Sequence, residues 1–109
     1  MTPAPHDTPP SGGALPLSPL IHGRVRLLIL CHILNQGSST FTELRAALGL
    51  TDGTLSVHLA KLAAGKIVRL QKRFVNRRPQ TTIRMTAAGR RQFQQYVEDL
   101  RGLVPGLIE

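Results

Sequence analysis

The chain has 109 residues, enough for one domain, and carries 14 Lys or Arg against 6 Asp or Glu, a formal net charge of +8. Its single cysteine, Cys31, excludes an intrachain disulfide and any cysteine-built zinc cluster. The charge surplus, with a pI of about 11.4, points to an anionic partner and to nucleic acid above all.

Residues 1–17 are rich in Pro, Thr, Ser and Gly and hold no Lys or Arg, so a disordered tail is expected there. Nothing in that stretch has the basic start and apolar run of a secretory leader. The longest apolar stretch, Leu27–Leu34, is broken by His32. A cytoplasmic protein without a membrane span is therefore expected. Residues 18–104 should form the domain, with 105–109 a short second tail.

The first helix is expected from about Pro19 to Asn35, with Ser18 as its N-cap and Asn35-Gln36-Gly37 as its stop. Ile21, Val25, Leu28 and Ile29 mark one side of it, and Leu27, Leu30, Cys31 and Leu34 another. A helix apolar nearly all round must be buried nearly all round, which in so small a domain points to a subunit interface. Thr40-Phe41-Thr42-Glu43 is a capping box that opens a short helix, with Phe41, Leu44 and Leu48 inward and Gly49 as its stop. After a tight connection, Thr51 caps a third helix that runs to about Ala64 and closes at Gly65. Two short helices so joined have the spacing of a helix-turn-helix.

Beyond Gly65 the period changes from helix to strand. Ile67–Phe74 alternates, with Val68, Leu70 and Phe74 on one face, and Gln80–Met85 alternates with Thr81, Ile83 and Met85 together. The loop between them, Val75 to Pro79, carries Asn76, Arg77 and Arg78. Thr86 then caps a last helix from Ala87 to about Leu103, whose stripe of Phe93, Tyr96, Val97 and Leu100 should pack on the first helix or on a second subunit. The fold class expected is mainly α with a small β-hairpin, a winged helix-turn-helix.

Charge is distributed as unevenly as it is totalled. From Gly53 to Val97 there is no Asp or Glu, while Lys61, Lys66, Arg69, Lys72, Arg73, Arg77, Arg78, Arg84, Arg90 and Arg91 all fall there. On the third helix, Leu55, Leu59 and Leu62 share a face that must point inward. That leaves Gly53, Thr54, Val57, Ala60, Lys61 and Ala64 outward, with Ser56 and His58 on the flanks. Such a slim surface suits a major groove about 12 Å wide, where Thr and Ser bond base edges, Val meets a thymine methyl and Lys reaches a guanine or a phosphate. The recognition residues expected are Thr51, Gly53, Thr54, Ser56, Val57, His58 and Lys61. His58 sits at an angle that also fits a packed histidine. On the hairpin, Lys72, Arg73, Asn76, Arg77 and Arg78 suit phosphates and a narrow minor groove.

Catalysis finds no support in paired carboxylates, and Asp52 reads as a helix first-turn residue facing the dipole. The histidines are scattered, Cys31 reads as a buried and inert thiol, and no glycine-rich phosphate loop is present. No enzyme, metal or cofactor is expected.

With these residues in view, the sequence resembles the stand-alone winged-helix regulators of the MarR and ArsR groups. The matching segments are HGRVRLLILCHIL (His22–Leu34), FTELRAALGLTDGTLSVHLAKLAAGKIV (Phe41–Val68) and KRFVNRRPQTTIRMTAAGRRQF (Lys72–Phe93). The resemblance implies a homodimer clamped through its first and last helices, by Leu27, Leu30, Cys31, Leu34, Phe93, Tyr96, Val97 and Leu100. It further implies a double-stranded DNA partner and a palindromic operator with half-sites about 10 bp apart, held by a repressor. The ArsR cysteine box is missing, so metal sensing does not carry over. The chain is also shorter than typical MarR proteins, which leaves a small-molecule effector unassigned. The competing expectation is a winged-helix interaction module whose basic surface binds RNA or an acidic protein.

Overall fold

A computed structural model describes residues 17–104, so most of the tail expected at 1–17 and all of that at 105–109 lie outside the described residues. In chain order the elements are α1 (Arg24–Gln36), β1 (Ser39–Thr40), α2 (Phe41–Leu48), α3 (Asp52–Ala64), β2 (Val68–Val75), β3 (Arg78–Met85) and α4 (Ala87–Leu103). The strands form one antiparallel sheet in the order β1-β3-β2. The expected class, helices with a hairpin wing, is what the chain adopts.

Three of the four helices begin where a threonine oxygen satisfies a backbone N–H that the helix leaves orphaned. Thr40 accepts from Glu43 N while the Glu43 carboxylate accepts from Thr40 N, so the capping box of α2 is complete. Thr51 accepts from Thr54 N at α3, and Thr86 from Gly89 N at α4. Gly49 ends α2 in the left-handed conformation at φ 65° that only glycine adopts without cost.

α1 departs from expectation. It begins at Arg24, not Pro19, because residues 18–22 close a separate turn in which Ser18 O accepts from both Ile21 N and His22 N. Gly23 then runs extended before the helix starts. That turn places Ile21 in the core, where it is fully buried, and Arg26 Nη1 locks it by donating to Leu20 O at 3.0 Å.

α3 ends where expected, at Ala64 with Gly65 as its C-cap, and the left-handed residue is the next one, Lys66, at φ 62°. Lys66 N donates to Ala63 O and Ile67 N to Leu62 O, the paired bonds of a Schellman closure, with Ile67 and Leu62 both buried. A Cβ at Gly65 would lie 2.1 Å from the end of the Leu20 side chain, which would have to turn aside.

The core joins Ile21, Ile29, Leu30 and Ile33 to Leu44, Leu55, Leu59, Leu62, Ile67, Val68, Ile83, Met85 and Tyr96. It closes around the base of the sheet: Val68 pairs with Met85 and Leu70 with Ile83, whereas the outer half of the hairpin stands clear of the body. β1 is too short to register as an alternating pattern. It is held by its pairing to β3, Ser39 opposite Ile83 and Thr40 opposite Thr82.

Candidate nucleic-acid interface

α3 presents the two faces its spacing requires. Leu55, Leu59 and Leu62 are buried, while Thr51, Gly53, Thr54, Ser56, Val57, Ala60 and Lys61 are exposed. Val57, with 54% of its surface open, stands in the middle of a surface whose other side chains are small, hydroxylated or, at Lys61, cationic. Arg45 of α2 pairs with Asp52 at 2.6 Å, bracing the two helices at the turn and neutralising the one carboxylate near this surface.

His58 turns away from that surface. It is half-buried, and its Nδ1 accepts from Arg26 Nε at 3.2 Å, which puts the ring proton on Nε2. No sequence signal marks Arg26, since His58 lies 32 positions away and its nearer partner, Leu20, offers only a backbone carbonyl. Burial, followed by the charges of Arg26 and Lys61, holds His58 below the ordinary histidine value of 6.5. As the pH falls, the unfolded chain therefore takes up this proton first. Stability from the neutral ring is fully present above about 6.5 and is lost as pH drops through the lower folded value. In thermal unfolding scans from pH 7.5 to about 5, wild type should lose more stability than His58→Gln, since His is the group that titrates in this range. Parallel curves would remove His58 from this account.

The hairpin is tighter than expected. β2 and β3 run on until Val75 faces Arg78, leaving a two-residue turn of Asn76 and Arg77 at φ 53° and 67°. Positive φ at both positions is the I′ geometry that matches strand twist, and Asn-Gly is its usual sequence. Arg78 and Pro79, assigned to the loop from sequence, are therefore strand residues. Pro79 is tolerated because the pairing of β1 stops at Thr82 and leaves that side of β3 open.

Cross-strand partners share a face, so the register sorts the side chains. Arg69 with Arg84, Arg73 with Gln80 and Val75 with Arg78 lie on one face; Lys72 with Thr81 and Phe74 with Pro79 continue the face that is core at the base. Lys72, Arg73, Asn76, Arg77 and Arg78 are all exposed, as a wing contacting an anion requires. Among the described residues no carboxylate pairs with any of them; the ion pairs are Arg45–Asp52 and Arg101–Glu98. Phe74, placed on the inward face from its alternation, is 77% exposed because the body ends before it.

The residues expected between subunits divide into three groups. Leu30 and Tyr96 are taken up by the core of a single chain, at 0% and 3% exposure, and offer a partner no side-chain surface. Burial pushes the Tyr96 phenol up, and its hydroxyl bonds His22 Nδ1 at 2.7 Å. Leu27, Leu34, Phe93, Val97 and Leu100 are partly covered, packed against the core. Cys31, expected to be buried, is exposed, and so is Leu28 beside it on α1. Three residues apart, they share one helix face.

Residues 25–104 match the family model described as a winged helix DNA-binding domain. The chain belongs to this family. A curated relative is the uncharacterized protein MJ0432 of Methanocaldococcus jannaschii, 34% identical over 76 residues, covering 70% of this chain and 83% of the relative. Among solved structures, a transcriptional regulator homologue from Pyrococcus horikoshii superposes with a TM-score of 0.76 at 26% identity, covering 84% of this chain and 91% of that one. The M. tuberculosis regulator MOSR, solved with DNA, gives 0.63 at 29% identity over 80% of this chain and 62% of that one. A MarR variant from E. coli, complexed with operator DNA, shares the fold at a TM-score of 0.67 and 24% identity, over 80% of this chain and 62% of that one. This winged helix chain is thus a DNA-binding regulator, and its fold is the one that the MarR variant adopts. Its described helices include none long and apolar enough to cross a membrane.

Proposed function

We propose that the protein is a sequence-specific transcription regulator that binds a palindromic operator as a homodimer and represses by occupying it. The observation that carries this is the exposed, slim surface of α3, Thr54, Ser56, Val57 and Lys61, on a chain whose wing holds only unpaired cations. In this reading α3 enters a major groove, where Thr54 and Ser56 bond base edges, Val57 meets a thymine methyl, and Lys61 reaches a base or phosphate. Thr51 and Gly53 lie at its leading end. Lys72, Arg73, Asn76, Arg77 and Arg78 follow the flanking backbone and minor groove. His58 serves as a brace to α1 through Arg26 and not as a base reader.

The dimer face is the outward side of α1 and α4. Leu28, Leu103 and Val104 are exposed there at 41%, 38% and 41%, beside the partly covered Leu27, Leu34, Phe93, Val97 and Leu100. Cys31 is exposed beside Leu28 on α1. Two-fold symmetry then sets half-sites about one helical turn apart.

Selection of bound fragments from random duplex DNA, followed by equilibrium binding, tests this function. A palindrome should emerge, and affinity for it should fall by orders of magnitude between about 50 and 200 mM salt. Ser56→Ala and Lys61→Ala should each weaken binding to the selected site more than to random duplex, by about 1–3 kcal/mol where a base contact is lost. Recovery of no preferred sequence, with losses confined to wing variants, would replace this function with nonspecific binding. Sedimentation of the free protein at monomer mass would remove the dimer.

A further inference from the structure

We infer that Phe74 is an apolar minor-groove contact, packing its ring against the deoxyribose wall beside the wing arginines. This rests on the DNA-binding function proposed above and assigns one further residue to that surface.

Phe74 stands 77% exposed near the tip of β2, opposite Pro79 on the same face. A ring that packs for stability is covered, and this one is left mostly open. The hairpin keeps it there, for the two-residue turn extends both strands and carries the Phe74–Pro79 pair beyond the buried base at Val68, Ile83 and Met85. Its neighbours decide the occupant. Lys72 shares its strand face and Arg77 stands at the turn, while Arg73 and Arg78 lie on the opposite face of the same narrow hairpin, all exposed.

An apolar partner protein seated on this face would have to desolvate Lys72 and the turn Arg77; a polyanion that wraps the hairpin edge complements them and the arginines behind. Of the surfaces a DNA duplex offers, the minor groove pairs intense negative potential with apolar sugar walls, and side chains such as Phe and Pro are used there beside Arg. The cations then supply the salt-dependent part of binding, and Phe74 a part independent of salt.

The test uses full-length protein and a fluorescein-labelled 30-bp duplex of mixed sequence containing A·T-rich steps, titrated at several salt concentrations. Phe74→Ala should bind about tenfold more weakly, with the slope of log affinity against log salt unchanged, and Phe74→Leu should recover most of the loss. Circular dichroism should find all three equally folded. With Phe74→p-benzoylphenylalanine, irradiation should join the protein to the DNA strand. Wild-type affinity in Phe74→Ala, a slope reduced by about one, or an adduct between two protein chains would each overturn the assignment. Failure of the wild type to bind the duplex in a salt-dependent way would instead remove the DNA-binding function, and the contact with it.

Discussion

Gly89→Ala is expected to destabilise the domain by about 3 kcal/mol or more, the upper range for forcing a methyl into a filled space. The sign runs against local preference, since alanine is the better helix former by about 1 kcal/mol. What decides is the neighbour. A Cβ on Gly89 would lie 2.1 Å from the carbonyl oxygen of Ile67 and under 3 Å from that residue's Cα and carbonyl carbon, all backbone. Thr86 fixes the same contact, its hydroxyl donating to Lys66 O at 2.7 Å and its N–H to Ile67 O at 3.0 Å. α4 therefore cannot retreat without breaking the bonds that seat it. Urea unfolding should show the loss, as should a melting temperature lower by roughly 4–8 °C per kcal/mol. Gly65→Ala is the control. There the clash is with the end of the Leu20 side chain, which can rotate, so the cost should be clearly smaller. Equal costs at the two sites would show that the approach of α4 to Ile67 is not the constraint described.

At the wing tip, stability and binding should move in opposite directions. Arg77 holds φ 67° without being glycine, a conformation that costs an L-residue roughly 1–2 kcal/mol. Arg77→Gly should relieve most of that strain and stabilise the domain by about 1 kcal/mol, glycine's greater unfolded freedom offsetting the rest. On the proposed function it should also weaken DNA binding about tenfold and lower the salt slope by about one, as expected when one phosphate contact is lost. Arg77→Ala separates the causes, because it removes the charge and keeps the strain. Its affinity should match that of the glycine variant while its stability stays near wild type. An Arg77→Gly variant that binds as tightly as wild type would leave the strained arginine without a purpose at the tip.

Much of this architecture could be read from sequence because its signals are local. Thr40 with Glu43, Thr51 and Thr86 each announce a helix start within three residues, and the helices begin there. Leu55, Leu59 and Leu62 repeat at helical spacing and are buried. What escaped depended on distance. Alternation identified β2 as a strand and placed Phe74 on the inward face, but no pattern within a strand says where the body beneath it ends. Ser18 and Pro19 signal a genuine turn, yet its end at His22 is fixed by Ile21 entering the core and by Arg26 reaching back. An α1 apolar on every side could not disclose that Leu30 belongs inside while Leu28 and Cys31 face out. At the candidate interface, the exposure of the α3 surface and of the wing cations could be read from spacing alone. The tie between Arg26 and His58 was not, because 32 positions separate the partners.

The ion pairs also determine how the molecule behaves before it touches anything. Arg45 and Arg101 are neutralised on α2 and α4, and Arg26 spends its hydrogen bonds inward on Leu20 and His58. Six unpaired cations, Arg69, Lys72, Arg73, Arg77, Arg78 and Arg84, lie on the hairpin, which carries no carboxylate, so that element is surrounded by a strong positive field. A polyanion within a Debye length of the hairpin, about 8 Å at physiological salt, would feel that attraction before any contact forms. Steering would then precede binding, and dilution of the salt would speed encounter.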